Sequence, residues 1–312
     1  MKQTNDVYIL LSTYNGEQYL RPLLESVLQQ EGVHPHLIIR DDGSTDHTLS
    51  ILEEYRRHIT LVKGKNIGST QSFMWLLAFV KEHIKEPAYY AFADQDDVWE
   101  KDKLREAVKR LRHMDENKPC LYCSNLKITD ENLSFIKYMN TSKADVTNKA
   151  RSLVESFATG CTMVFNRKAL ELSCQAKPHD VILHDLWLFH TCMFLGQVIY
   201  DPNAHILYRQ HKHNQIGANA TTNAFIKNKW KSIRSIRSQH FREQEARLLY
   251  QSYQDQLNKN DKAMLNVLIH YRQAWASRLR WLWGIGEPYR SIRMSSKKAN
   301  LVLSIRILIG HV

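Results

Sequence analysis

The chain has 312 residues, 43 % apolar and 24 % charged; this excludes a disordered protein and allows one large core, or one core with an appendage. Its net charge of +11 is unevenly placed: from Asn219 onward there are 17 Lys and Arg against 5 Asp and Glu, while the preceding 218 residues hold 26 and 27. A near-neutral body with a basic tail implies an anionic partner for the tail, either membrane lipid, phosphorylated lipid or nucleic acid.

In chain order, Val7–Ser12 is an apolar run of strand length that begins almost at once, without the apolar stretch of a signal peptide. Leu20, Leu23, Leu24, Val27 and Leu28 then mark one face of a helix, with Gly32 as its stop. Leu37–Arg40 predicts a second strand; Leu49, Leu52 and Tyr55 a helix; Ile59–Val62 a third strand. A helix through Phe73, Leu76, Leu77 and Val80 leads to a fourth strand, Tyr89–Ala93, and a helix over 100–114. Fully apolar strands alternating with amphipathic helices mean a parallel α/β sheet with helices on both faces.

From about 120 to 210 the pattern is mixed, with strands near 120–128, 161–165 and 197–209 and a helix near 184–195. Beyond Gly217 long helical stretches follow. Ile226, Trp230 and Ile233 form an apolar stripe beside Lys227, Lys231 and Arg234, and Leu268, Trp275, Leu279 and Leu282 read as a second amphipathic helix. No stretch reaches the roughly 20 apolar residues of a spanning helix, so the chain is expected to be soluble or to lie on a membrane. The cysteines, Cys120, Cys123, Cys161, Cys174 and Cys192, are odd in number and irregularly spaced, which fits buried thiols in a reducing cytoplasm.

In open α/β sheets ligands bind beyond the carboxyl ends of the strands. Those ends read Ser12-Thr13-Tyr14-Asn15-Gly16, Asp41-Asp42-Gly43-Ser44, Gly64-Lys65-Asn66-Ile67-Gly68 and Asp94-Gln95-Asp96-Asp97. Turn chemistry alone accounts for the first three taken singly; four polar ends together point to a site. Three carboxylates within four residues repel one another unless a cation neutralises them, and oxygen ligation suits Mg²⁺ or Mn²⁺. The absence of a Gly-rich loop ending in Lys-Ser/Thr excludes a P-loop nucleotidase, and the absence of G-x-G-x-x-G argues against a dinucleotide dehydrogenase.

This ordered set (STYNG, DDGSTD, N-x-G, D-x-D-D and a later acid) resembles the inverting glycosyltransferases of family 2 over roughly residues 5–215. The resemblance implies an α/β, GT-A-like Rossmann-type mixed sheet flanked by helices, here residues 1–217, with a basic C-terminal helical extension over 218–312. It implies that Thr13 and Tyr14 contact base and ribose and that Asp42 hydrogen-bonds the pyrimidine. Asp94 and Asp96 would organise an Mg²⁺ or Mn²⁺ ion, and Asp97 would touch the metal or the donor sugar. His184-Asp185-Leu186-Trp187, Tyr208-Arg209-Gln210-His211, Asn214, Gly217 and the segment Thr159–Met163 are similar to the rhamnosyltransferase-like branch.

That branch implies Asp185 as catalytic base. An acid opening the helix from Leu186 would also be stabilised there as a cap, and the two roles are compatible. Arg209 would offset charge on the donor diphosphate, with His211 either a third metal ligand or a surface histidine. The expected reaction is transfer of a sugar, L-rhamnose from dTDP-L-rhamnose by resemblance, to a growing lipid-linked bacterial surface glycan at the inner face of the cell membrane. A UDP-hexose donor and a catalytically silent lipid- or glycan-binding scaffold are the rivals; nucleic acid is disfavoured by the intact acids. For the tail, with Trp230, Trp275, Trp281 and Trp283, contact with an anionic membrane surface stands against plain core or a homodimer interface.

Overall fold

Strand and helix alternate through the first half of the chain as the apolar spacing predicts. The computed structural model describes residues 5–140, 145, 148–211 and 240–312. The strands are β1 (Asp6–Thr13), β2 (His34–Asp41), β3 (Ile59–Lys63), β4 (Tyr89–Ala93), β5 (Val98–Trp99), β6 (Cys120–Thr129), β7 (Phe135–Tyr138), β8 (Val164–Phe165) and β9 (Gln197–Arg209). The helices are α1 (Leu20–Leu28), α2 (Thr48–Glu54), α3 (Ser69–His83), α4 (Lys103–Leu111), α5 (Lys149–Ser152), α6 (Arg167–Ser173) and α7 (His184–Leu195), followed by α8 (Phe241–Tyr253), α9 (Lys259–His270), α10 (Trp275–Trp283) and α11 (Lys297–Ile309).

Contacts divide these residues into two compact units. The first comprises residues 5–140, 158–192 and 196–211; the second comprises 145, 148–157, 193–195 and 240–312. The boundary expected at 217/218 lies outside the described residues.

The first unit is built on one sheet in the order β3-β2-β1-β4-β8-β6-β9-β5, with β7 added to β6. Strands β3, β2, β1 and β4 are parallel; β8 is antiparallel to β4 and β6, and β6 runs parallel to β9. The sheet is therefore mixed, with its parallel half in the segment of alternating strands and helices. Ile9, Leu10, Leu11, Ile39 and Phe92 have no more than trace exposure, because helices cover both faces of this half. Leu23, Leu24 and Val27 of α1 are fully buried, each contributing about 1.5–3 kcal/mol relative to exposure.

Two short strands escaped the sequence pattern. β5 is two residues long, and β7 is exposed throughout, so neither carries a burial period. The strand expected over 161–165 is instead a 3₁₀ turn, Gly160–Thr162, before the two residues of β8. That turn matters below, since it sets Gly160 and Cys161 against the acids.

In the second unit the helix expected from Leu268 to Leu282 is two helices, α9 and α10. The Tyr271 ring is buried at the break and its hydroxyl accepts the Val312 N–H at 2.9 Å. Trp281, for which membrane contact, plain core and a homodimer interface all stood open, is core: it is fully buried and its Nε1 donates to the Ile292 carbonyl at 3.1 Å. Trp275 and Trp283 are exposed. The stripe of Ile226, Trp230 and Ile233 with Lys227, Lys231 and Arg234 lies outside the described residues, as do Asn214 and Gly217. Among the described residues no helix is long and apolar enough to cross a membrane.

Asn166 couples helix to sheet. Its Oδ1 accepts the Ala169 N–H that opens α6 and the Cys120 N–H that opens β6, both at 3.0 Å, while Nδ2 donates to the Lys118 carbonyl at 2.8 Å. Asn166→Ala removes a cap and strands buried main-chain groups, so urea denaturation should report a loss of about 2 kcal/mol or more.

Candidate active site

Parallel register sets Thr13 beside Asp41, Asp41 beside Lys63 and Leu11 beside Ala93, so the loops after β1 to β4 leave the same edge of the sheet. These loops are tied to one another through their own polar residues. Asp41 accepts the Thr13 hydroxyl at 3.0 Å, the Ser44 hydroxyl at 2.6 Å and the N–H groups of Gly43 and Ser44. Asp42 accepts the N–H groups of Ile67 at 3.0 Å and Gly68 at 2.9 Å and an ion pair from Arg40. Gly43, at φ +84°, lies where a Cβ would be 3.2 Å from the Asn66 main-chain nitrogen, so the two loops meet backbone to backbone. Gln95 closes the set: its amide accepts the Tyr14 N–H at 3.0 Å and donates to the Tyr14 carbonyl at 3.1 Å.

The acids after β4 part company at once. Asp94, Asp97 and Cys161 bring ligand-type atoms within 4.8 Å of one another. Burial, with the charges of Asp96 and Asp185 behind it, raises the Asp94 carboxyl to about 7. Burial raises Asp97 well above the carboxylate range, helped by Asp96 and Asp94, and it raises the Cys161 thiol as well. Beneath them Lys103 is completely buried, its amine 3.5 Å from the centre of the Trp99 ring. Burial depresses it to about 7, against an opposing pull from the charges of Cys161 and Asp97.

Asp96 faces the other way and meets His211, Nε2 to Oδ2 at 2.8 Å. The His211 ring lies 4.7 Å from that of Tyr19, which also carries the Arg209 guanidinium 4.6 Å above its face. Asp185 lies in the first turn of α7, which begins at His184 with Leu183 as its N-cap, so it is not the cap of a helix starting at Leu186; its Oδ1 accepts the Leu186 N–H at 2.8 Å. A Cβ on Gly160 would come within 3.2 Å of the Asp185 Cβ and 3.4 Å of Oδ2, so the 3₁₀ turn holds Cys161 by Asp94 and its own glycine against Asp185.

The fold thus brings Asp94, Asp96, Asp97, Asp185, Arg209 and His211 together at one end of the sheet, though several are turned inward. Of the three expected nucleotide contacts only Tyr14, 46 % exposed, presents surface; Thr13 and Asp42 are buried and spend their polar atoms on the loops. Asp97 is 0 % exposed, and its ligand-type oxygen lies within 4.8 Å of those of Asp94 and Cys161. Arg209 is also buried, with its guanidinium donating to the Asp96 and Glu131 carbonyls and its N–H to Asp97 at 3.3 Å. Gln95, Tyr19, Lys103 and Cys161 were not legible as site residues. Gln95 and Cys161 lie inside the segments named above but carried no role there, Tyr19 and Lys103 lie outside them, and three of the four act from inside the structure or through a neighbouring loop.

A family model described as Glycosyl transferase family 2 matches residues 8–172, just over half of the chain. The chain belongs to this family. It is 29 % identical over 257 residues to a dTDP-rhamnosyl transferase, RfbG, of Shigella flexneri, covering 76 % of this chain and 83 % of that one. Among solved structures it resembles residues 1–349 of S. aureus TarS in complex with UDP-GlcNAc, with a TM-score of 0.54 at 14 % identity, covering 98 % of this chain and 92 % of that chain. That likeness shows the GT-A fold.

Gly160→Ala would press on Asp185 by a few tenths of an ångström without touching the strands. The kcat of sugar transfer should fall by about 10-fold or more, with the melting temperature little changed. His184 yields a pH prediction. Its ring stacks on Phe73 at 4.0 Å, meets Phe92 edge-on at 4.9 Å and has Nδ1 buried without a partner; burial lowers its affinity for a proton. Because the folded value lies below the unfolded one, the unfolded chain gains the proton first, and stability drops as pH falls through about 6.5. His184→Phe keeps the stack and should flatten the pH dependence of urea-unfolding free energy between roughly pH 7 and 5.

Proposed function

We propose that this family 2 glycosyltransferase is a metal-dependent, inverting rhamnosyltransferase that uses dTDP-L-rhamnose and extends a lipid-linked surface glycan at the inner face of the cell membrane. The observation that carries the chemistry is the place of Asp185, its Oδ2 against Gly160 of the turn whose Cys161 lies beside Asp94 and Asp97. The rhamnose donor rests on the name of the Shigella relative and on the HD-x-W and Y-R-Q-H segments.

Asp185 takes the proton of the acceptor hydroxyl as that oxygen bonds to the anomeric carbon. The bond from that carbon to the donor phosphate breaks, and the nucleoside diphosphate leaves with the electron pair. Attack from the opposite face inverts the anomeric centre. Oδ1 of Asp185 is occupied by the Leu186 N–H, which leaves Oδ2, beside Gly160, as the proton acceptor.

The residues present suit a hard divalent cation. Asp94 and Asp96 are oxygen donors; burial, with the charges of Asp96 and Asp185 behind it, raises Asp94 to about 7, and positive charge would relieve the charge-charge part. Bound there with His211 at hand, Mg²⁺ or Mn²⁺ would offset the charge of the diphosphate. Tyr14 is the exposed candidate for stacking or hydrogen bonding with the nucleoside. Thr13, Asp42, Asp97 and Arg209 hold the loops and the acids in position.

Asp185→Asn keeps size and the Leu186 bond but accepts no proton, so turnover should fall by roughly 10²–10⁴-fold with donor affinity little changed. Full turnover would move the base elsewhere, with Asp180 the next acid to test. Transfer should also stop on EDTA treatment or in Asp96→Ala; a full rate after EDTA would sink the metal assignment. A thermal-shift panel of dTDP-rhamnose and UDP-hexoses identifies the donor, since the cognate one stabilises the fold by mass action. A larger shift with a UDP-hexose would replace rhamnose.

A further inference from the structure

Large apolar side chains are exposed in one region above all. Of the fourteen that stand out among the described residues, nine lie between Trp275 and Ile309. On α10, Trp275, Leu279 and Trp283 recur at i, i+4 and i+8, while Trp281 on the opposite side is buried. On α11, Leu301, Ile305, Leu308 and Ile309 share one exposed face, and Leu303 and Ile307 form the buried one. The helices adjoin: Arg278 of α10 donates to the Leu308 carbonyl at 3.1 Å. Each helix is thus anchored by one face and leaves a second apolar face that no element among the described residues covers. Two tryptophans, 65 % and 71 % exposed, exceed what a solvated surface ordinarily tolerates.

Charge decides what covers these faces. Residues 271–312 hold eight Lys and Arg against one acid, Glu287, and Arg280, Arg290, Lys297 and Lys298 are exposed. A second copy meeting the first through this surface would set cations against cations. The chain's own residues 212–239 carry six Lys and Arg and no acid, so they offer no complement either. An anionic bilayer does: tryptophan and aliphatic side chains enter the interface while arginine and lysine meet headgroups.

We propose that the outer faces of α10 and α11 form a docking surface for anionic phospholipid, by which the enzyme lies on a membrane without spanning it. This rests on the reading above that the acceptor is carried by a lipid.

Flotation of the full chain with phosphatidylcholine vesicles, with and without phosphatidylglycerol, at low and high salt tests it. The wild type should partition at least about 10-fold more strongly onto the anionic vesicles, with most of that gain lost at high salt. Trp283→Ser/Ile305→Ser and, separately, Lys297→Glu/Lys298→Glu should each weaken binding by about 10-fold, and circular dichroism should match the wild type. Equal binding to both vesicle types, no binding, or binding unchanged in both variants would overturn the proposal. So would a dimer in sedimentation velocity that Trp283→Ser/Ile305→Ser dissociates in the absence of vesicle binding, since a second copy is then the occupant. Transfer to a water-soluble acceptor without lipid should be unaffected by these variants; wild-type failure in that assay counts against the transferase reading and leaves the docking result standing.

Discussion

Like charge gathered at the end of one strand is the constraint that the first unit is arranged around. Asp94, Asp96 and Asp97 are consecutive or nearly so, and Asp185 is delivered to them from 88 residues further on. Left in water such groups would spread apart; held by a buried strand they cannot. The fold disposes of each differently. Asp97 turns into the core near Lys103 and Cys161, where burial favours its neutral form. Asp96 turns toward His211. Asp94 stays between them, its carboxyl raised to about 7 by burial and by the charges of Asp96 and Asp185.

Keeping four carboxyl groups at fixed, unfavourable separations requires a stiff surround, and the loops supply it. Asp41, Asp42, Asn15 and Gln95 bond to main-chain groups of loops other than their own or to the turn that follows them. Each such bond contributes little by itself, about 1 kcal/mol, but together they remove the loops' freedom before any donor arrives. The residues that diagnose the family therefore divide in two. Some, such as Tyr14, present open surface, and others hold the loops that carry them still.

The second unit follows a different rule. Its apolar residues exceed what the inner faces of its described helices bury. Trp281, Leu303 and Ile307 fill the inside, whereas Trp275, Trp283, Leu301 and Ile305 remain outside among arginines and lysines. A surface of that composition costs free energy in water, a cost that a partner both apolar and anionic would offset.

The periods of 2 and 3.6, and the unbroken apolar runs, determined the parallel half of the sheet, because β1 to β4 and their helices are each decided by local burial. Residue chemistry likewise marked the strand ends and the D-x-D-D acids, since crowded carboxylates are visible as neighbours in the chain. Only the tertiary structure could turn Asp97 inward and Asp96 toward His211, because both lie in the turn between β4 and β5, where no local period sets which side a residue faces. It alone ended α9 near Tyr271, where a buried ring interrupts a helical pattern that runs on in sequence, and sent Trp281 inside while Trp283 stayed out. The pairing of Gly160 with Asp185 and of Cys161 with Asp94 was decided there too. Such contacts join segments whose separation in the chain carries no period, so packing in three dimensions is what specifies them.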